Sequence, residues 1–304
     1  MSSGGVLAVD IGGTSIKAEI LDSGLTCSAA AAAPTPRSDG VRTLSAVIDL
    51  GRKLLSGSPA GAAVRRVGLA VPGVVDVDRG VGVVAANLAW QDMPVTAPVS
   101  AALGLPVTMV HDVTAAGIAE WRCGAGRGVD DLAVVVIGTG IAVTLVAGGA
   151  LVRGGSGQAG ELGHVVVRPG GPPCACGQRG CLEAISSARA IADAYTARSG
   201  HAVDGAVEVS ARLRSDSVAQ EVWQEATDAL GDALLIVRAL LAPSRIVLGG
   251  GLAGAGEALL APVRARLERA PGLQAPPPVV AAELGGRAGV IGAALAALDA
   301  AGAT

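Results

Sequence analysis

Between Gly157 and Ser186 the chain reads GQAGELGHVVVRPGGPPCACGQRGCLEAIS, which puts His164, Cys174, Cys176 and Cys181 within 18 positions, counting His164 through Cys181. Soft thiolates with one imidazole form a tetrahedral zinc set, and four protein ligands leave no coordination position for water. The expected ion is therefore a structural Zn2+ that pins a loop. Two carboxylates travel with that loop: Glu161, three residues before His164, and Glu183, two after Cys181. A histidine bound to metal through one ring nitrogen keeps the other for a further hydrogen bond, and groups fixed in this way commonly hold sugar hydroxyls. Helix-end or turn charges facing water are the alternative reading of both glutamates.

A second source of chemistry is a pair of carboxylates at strand ends. In VTMVHDVTAAGIAEW an apolar strand, Val107 to Val110, runs into His111-Asp112, and a helix is expected from about Thr114. Asp112 there is either an N-cap or the base that accepts a hydroxyl proton in phosphoryl transfer. Asp10 ends the buried strand Val6 to Asp10, followed by the turn Gly12-Gly13-Thr14 and the alternating strand Ile16-Ala18-Ile20. A carboxylate there needs a partner, either a water-mediated Mg2+ or the turn amides.

These residues must be positioned by the elements around them. The loop after Asp10 runs strand to strand, unlike the Rossmann and Walker-A loops, which run from strand to helix. It recurs: LAVVVIGTGIAVTLV (132–146) aligns without gaps to VLAVDIGGTSIKAEI, Gly138 falling on Gly12, an offset of 126. Paired glycine hairpins bring backbone N–H groups, and the Thr14 and Thr139 hydroxyls, to phosphate oxygens. Gly138, Thr139 and Gly140 thus duplicate Gly12, Gly13 and Thr14.

Elsewhere the pattern predicts an Ala-rich strand and loop around 26–36, a helix near 40–56 and a strand Val67–Val71. Further helices are predicted near 184–199 and 218–242. The last of these buries one face built from Val222, Ala226, Leu230, Leu234, Val237 and Leu241. Ile246 to Leu248 is a buried strand whose glycines, Gly249, Gly250 and Gly251, lead into a helix from Gly254 to Leu267; they form either an adenosine seat or a plain turn. The segment APPPVV, 275–280, reads as a rigid loop.

Composition narrows the function. The chain has 304 residues, is 51% hydrophobic and contains no Phe, so two cores of small aliphatic side chains are expected. A formal net charge of −3 with interspersed signs, and few aromatics, argue against a nucleic-acid surface. The N-terminus carries neither a basic n-region nor an apolar run long enough for a signal peptide or membrane span, and thiols suit a reducing compartment. A cytoplasmic protein is expected.

Taken together, DIGGT (10–14), NLAW (87–90), the Asp112 segment, IGTG (137–140), ELGH (161–164), CACGQRGCLE (174–183) and LGGG (248–251) resemble the ROK family of sugar kinases and sugar-responsive repressors, within the actin-like ATPase superfamily. The resemblance spans nearly the whole chain. It implies an α/β fold of two actin-like (ribonuclease H-like) lobes with nucleotide and sugar in the cleft between them. The small lobe would comprise 1–113 plus about 290–304, and the large lobe 114–289 with the zinc loop at 161–183. The implied activity is transfer of the ATP γ-phosphate, with Mg2+, to a hexose hydroxyl, commonly O6, glucose being the leading acceptor. N-acetylmannosamine, mannose, allose and fructose are the alternatives. By motif match Asp112 would be the base, and Asn87, His111, Glu161, His164 and Glu183 would hold the sugar. Asp10 and both hairpins would surround the phosphates, Gly249 to Gly251 would line the adenosine, and His164 with the three cysteines would bind zinc. The resemblance also implies a homodimer or homotetramer. His111 stands where the family usually shows Asn, and an imidazole does not copy an amide that donates and accepts through adjacent atoms. A sugar-sensing repressor would carry an added N-terminal helix-turn-helix, whereas the first hairpin here begins at Val6; a catalytically weak sugar sensor is the remaining alternative.

Overall fold

A computed structural model describes residues 4–36, 39–85, 88–271 and 274–302. Asn87, expected at the sugar, lies outside the described residues. The chain divides into two compact units, the first running to Ala119 and resuming at Gly286, the second comprising Glu120–Gly285.

In the first unit, β1 (Gly5–Ile11), β2 (Ser15–Leu21) and β3 (Cys27–Pro34) form an antiparallel meander, followed by α1 (Gly40–Gly57) and β4 (Val64–Val71). A small antiparallel sheet of β5 (Val74–Asp76), β6 (Val81–Ala85) and β7 (Trp90–Pro94) comes next, then α2 (Thr96–Leu103), β8 (Val107–His111) and α3 (Asp112–Cys123). The main sheet has the order β3-β2-β1-β4-β8, with β1, β4 and β8 parallel. Its central strands are apolar nearly throughout, as expected for parallel strands covered on both faces. The core joins Leu7, Val9, Leu69 and Val71 of the sheet to Leu44, Val47, Leu50 and Leu54 of α1.

The second unit repeats this plan with β9 (Leu132–Ile137), β10 (Ile141–Ala147) and β11 (Ala150–Leu151). After the cysteine loop come α4 (Glu183–Ser186), α5 (Ala188–Ser199), α6 (Ala206–Ala211) and α7 (Ser217–Leu241). They are followed by β12 (Arg245–Gly249), α8 (Glu257–Arg269) and β13 (Val279–Ala281). The sheet order β11-β10-β9-β12-β13, a hairpin continued by parallel strands, matches that of the first unit. The repeat read from the two glycine hairpins therefore extends to whole sheets. Helix α7 buries Val222, Ala226, Leu230, Leu234 and Val237 of the face its periodicity predicts, while Leu241, at its C-terminal end, is only partly buried. The final helix α9 (Ala288–Gly302) returns to the first unit and packs its alanines on β1, β4 and β8. No described helix is long and apolar enough to cross a membrane.

Four local expectations are corrected. The predicted 184–199 helix is broken at Ser187, whose extended backbone (ψ 154°) and side chain, accepting from Ala190 N, cap α5 as a separate helix. The helix expected from Gly254 begins at Glu257, after a 3-10 turn over Gly251–Ala255. The 275–280 loop ends in strand β13, because Val279 and Val280 complete the parallel ladder beside β12. Helix α3 starts at Asp112 itself rather than near Thr114.

One buried carboxylate ties the second unit together. Glu120, 1% exposed, accepts hydrogen bonds from the amides of Ala125 (3.0 Å), Glu283 (3.1 Å) and Leu284 (2.8 Å). Replacing it with Ala leaves those donors without their acceptor, so Glu120→Ala is expected to lose about 3 kcal/mol of stability. A urea titration followed by circular dichroism checks this: the midpoint falls and the far-ultraviolet spectrum before the transition is retained.

Candidate active site

The first hairpin closes as Asp10 pairs with Lys17 and Ile11 with Ile16, leaving Gly13 and Thr14 exposed at its tip. Gly12 N donates to Ser15 O at 3.1 Å. Thr35, just after β3, straps the tip: its hydroxyl donates to Gly12 O at 2.6 Å and its amide to Thr14 O at 3.0 Å. The chain's return to this unit is anchored on β2, where Lys17 Nζ donates to Gly286 O (2.8 Å) and Arg287 clasps both oxygens of Glu19 (3.0 and 2.6 Å). That return brings Gly289 against Asp10, so close that a Cβ at 289 would stand 2.6 Å from the Asp10 Cγ. Burial pushes the Asp10 carboxyl up to about 6, the neighbouring Asp112 charge adds to the rise, and Lys17 opposes it. A carboxylate so crowded and so close to a second one is suited to a cation.

Asp112 sits where β8 becomes α3. Its Oδ1 accepts from Val113 N at 2.7 Å and lies 3.2 Å from His111 Nε2. Burial raises the carboxyl above the ordinary range, against the His111 charge and the amides of Val113 and of Asp112 itself. A third of the side chain's surface still faces solvent, which leaves the carboxylate reachable. The first unit thus brings together Asp10, His111 and Asp112.

The second unit gathers the remaining candidates. Thr139 and Gly140 are exposed at the tip of the second hairpin, where Gly138 N donates to Gly140 O at 2.9 Å. Glu183, the first residue of α4, accepts from Ile141 N through Oε2 at 3.0 Å. A Cβ at Gly140 would lie 2.6 Å from that oxygen, so a side chain there would require the Glu183 carboxylate to move. Glu183 is therefore an anchor between the hairpin and the cysteine loop, a role its spacing did not suggest. Gly250 has φ of 82° and backs directly onto the Ile137 backbone, which sets the Gly249–Gly251 turn beside the base of the same hairpin. A cavity of about 820 Å3 opens at the hairpin tip, lined by Thr139, Gly140, Glu183, Ser187, Arg189 and Arg198 among others; Gly249, Gly250 and Gly251 do not line it.

The cysteine loop is closed at its neck by Leu182 N donating to Val165 O (2.9 Å) and Val167 N to Gly180 O (2.9 Å). Within it, Cys174 N donates to Gln178 O (2.9 Å) and Gly177 N to Cys174 O (3.0 Å), making a tight turn that carries Cys174 and Cys176. The ligand atoms of His164, Cys174, Cys176 and Cys181 all lie within 4.8 Å of one another and can hold a metal ion. The Cys176 and Cys181 sulfurs are 3.7 Å apart, and Cys174 Sγ is 3.6 Å from His164 Nδ1. Zinc bond lengths in a tetrahedron require about 3.8 Å between two sulfurs and about 3.6 Å between sulfur and nitrogen, so the spacing fits. Burial pushes the Cys181 thiol up to about 12, whereas the Gln178 amide draws Cys176 down to about 7. A cation removes this conflict by holding all the sulfurs as thiolates. His164 turns its Nδ1 to the cysteines and its Nε2 toward Glu161 Oε2, 3.8 Å away.

The residues missed in the sequence are Thr35, Lys17, Glu19, Arg287 and Gly289. All act by contacts across 20 or more positions, which local spacing does not reveal.

Comparison with known proteins identifies the family. The ROK family model matches residues 6–300. A glucokinase of Halalkalibacterium halodurans is 34% identical over 285 residues, covering 88% of this chain and 86% of its own length. An N-acetylmannosamine kinase of Citrobacter koseri is 32% identical over 292 residues, covering 96% of this chain and 98% of its own. Among solved structures, a ROK family glucokinase from Streptomyces griseus in complex with glucose and AMPPNP superposes with a TM-score of 0.84 at 33% identity, covering 97% of this chain and 100% of that one. Matched over almost its full length, with the two glycine hairpins and the cysteine loop in place, the chain belongs to the ROK family.

Proposed function

We propose that the protein is a sugar kinase that transfers the ATP γ-phosphate to O6 of a hexose, with glucose as the leading acceptor. The observation that carries this reading is Asp112: a carboxylate at a strand end, raised by burial yet open to solvent, beside Asp10 and the first glycine hairpin in one unit. In the reaction the sugar hydroxyl oxygen bonds to the γ-phosphorus as its O–H bond breaks. The proton passes to Asp112, and the electron pair of the broken bridge bond leaves with ADP. Gly13 and Thr14 at the exposed tip of the first hairpin, and Thr139 and Gly140 at the exposed tip of the second, are the candidate phosphate contacts, the Gly12 and Gly138 amides being used to close the two turns. Asp10 would hold Mg2+, which would supply charge neutralisation to the phosphates. Glu161, His164 and Glu183 are the candidate holders of the ring hydroxyls, zinc would keep His164 in place, and His111 stands beside the base; Asn87 is a further candidate for the sugar. Gly249 to Gly251 line the adenosine.

The surroundings of the second hairpin favour a nucleoside donor over a long polyanion. Arg189 and Arg198, on the cavity, are already paired with Asp193 (3.5 Å) and Glu225 (2.6 Å), and Glu183 adds a further negative charge. A polyphosphate groove needs unpaired cations. The protein is assigned to the cytoplasm, as a homodimer or homotetramer.

A second reading, N-acetylmannosamine as acceptor, is favoured by the Citrobacter koseri relative and by the imidazole of His111 beside the base. An ADP-release assay with glucose, mannose, N-acetylmannosamine, N-acetylglucosamine, allose and fructose separates the readings. The expected result is the highest kcat/KM with glucose. A higher value with N-acetylmannosamine selects the second reading, and no turnover with any sugar discards the kinase assignment in favour of a sensor.

A further inference from the structure

Asp112 is not the only titratable group at the end of β8. Its chain neighbour His111 turns its imidazole back onto the carboxylate, Nε2 standing 3.2 Å from Oδ1, with about a quarter of the imidazole exposed. We propose that His111 is a positioning residue for the base: its imidazole holds the Asp112 carboxylate from one side and ties turnover to the charge on the imidazole. This rests on the kinase reading of Asp112, but the contact itself does not.

The geometry supports the proposal in two ways. The Val113 amide and the imidazole both address Oδ1, so the carboxylate is fixed through one oxygen by two neighbouring groups of the chain. Furthermore, few other charges face the pair. Asp10 on β1 lies near enough for its charge and that of Asp112 to act on one another, and Lys17, its cross-strand partner on β2, acts on Asp10 in the opposite sense. Of the elements packed against β8, 68–71 of β4, 288–297 of α9 and the whole of α2 carry no titratable side chain, and β5 brings Asp76, which is itself paired with Arg79. His111 is therefore the main positive influence on Asp112, opposing the rise caused by burial.

A base must be ionised, so turnover falls as pH drops through the carboxyl's range. Removing the imidazole leaves burial less opposed, so the acid limb moves to higher pH; a permanent cation moves it lower.

The test is the pH dependence of kcat/KM for His111→Gln and His111→Lys, read together with a carbon-13 NMR titration of the Asp112 carboxyl in the sugar-free protein, assigned with Asp112→Asn. For His111→Gln both the acid limb and the carboxyl titration are expected to move up by about one pH unit, the low end for a partly exposed pair. For His111→Lys both are expected to move down. If neither titration moves while KM for the sugar rises, His111 is a sugar contact only and the proposal is wrong. Should the unaltered protein phosphorylate no sugar, the kinase reading fails, and the NMR titration alone decides: a shift upholds the His111–Asp112 contact, an unmoved carboxyl overturns it. If one variant does not fold, the other is read by the same two measurements.

Discussion

Replacing Asp112 with Asn lowers kcat about a thousandfold while KM for the sugar stays within about threefold. Asn keeps the size of the side chain and an oxygen that accepts from Val113 N, the contact Asp112 makes at 2.7 Å. What it loses is the capacity to take a proton. A sugar hydroxyl that attacks phosphorus without a base builds positive charge on its oxygen, and only solvent can relieve it. Burial makes the native carboxyl a stronger base than an ordinary aspartate, which suits it to the role. Rates are measured by coupled ADP release and sugar binding by calorimetry, so that chemistry and affinity are separated. Near-normal turnover in Asp112→Asn removes Asp112 from the mechanism; equal losses in kcat and affinity assign it to binding.

Much of the molecule was legible in the sequence wherever the signal is local. A strand, a turn with two glycines and a second strand can be read from period-two alternation, and the same string 126 residues later (Gly138 against Gly12) announced a duplicated hairpin, which the structure extends to a duplicated sheet. The cysteine loop was legible for a different reason: ligand type and count constrain it regardless of its fold, and the atoms do meet. Where the sequence misled, tertiary structure overrode local preference. Three prolines before Val279 read as loop, yet a parallel neighbour supplies the partner that makes Val279–Ala281 a strand. Ser187 sits in a helical pattern, but as an N-cap it divides α4 from α5, a cue available in the Ser186-Ser187 pair. The surroundings of Asp10 were not legible at all. They depend on Gly286, Arg287 and Gly289 returning to the first unit, and a contact such as Lys17 to Gly286, 269 positions apart, has no local signature.

Replacing Cys176 with Ser is expected to have the second large effect: loss of bound zinc, from about one ion per chain to under about a tenth, and at least a tenfold loss of sugar affinity. Cys176 is the exposed member of the four, so the substitution creates no cavity and any consequence comes through the metal. With three ligands left, the turn over 174–178 loses its tether to Cys181, whose buried thiol then has no reason to ionise. His164 loses the constraint on Nδ1 that aims Nε2 toward Glu161. Glu183 behaves differently, because it is held by Ile141 N and not by the loop alone. The sugar site should therefore weaken through His164 and Glu161 while the hairpin stays formed, so that sugar affinity drops and ATP affinity does not. Cys176→His is the control: zinc accepts two cysteines with two histidines, and this variant should retain metal and sugar binding. Metal content by mass spectrometry and the two affinities by calorimetry check each step. Unchanged zinc in Cys176→Ser removes Cys176 from the ligand set, and lost zinc with unchanged sugar affinity separates the metal from the sugar site.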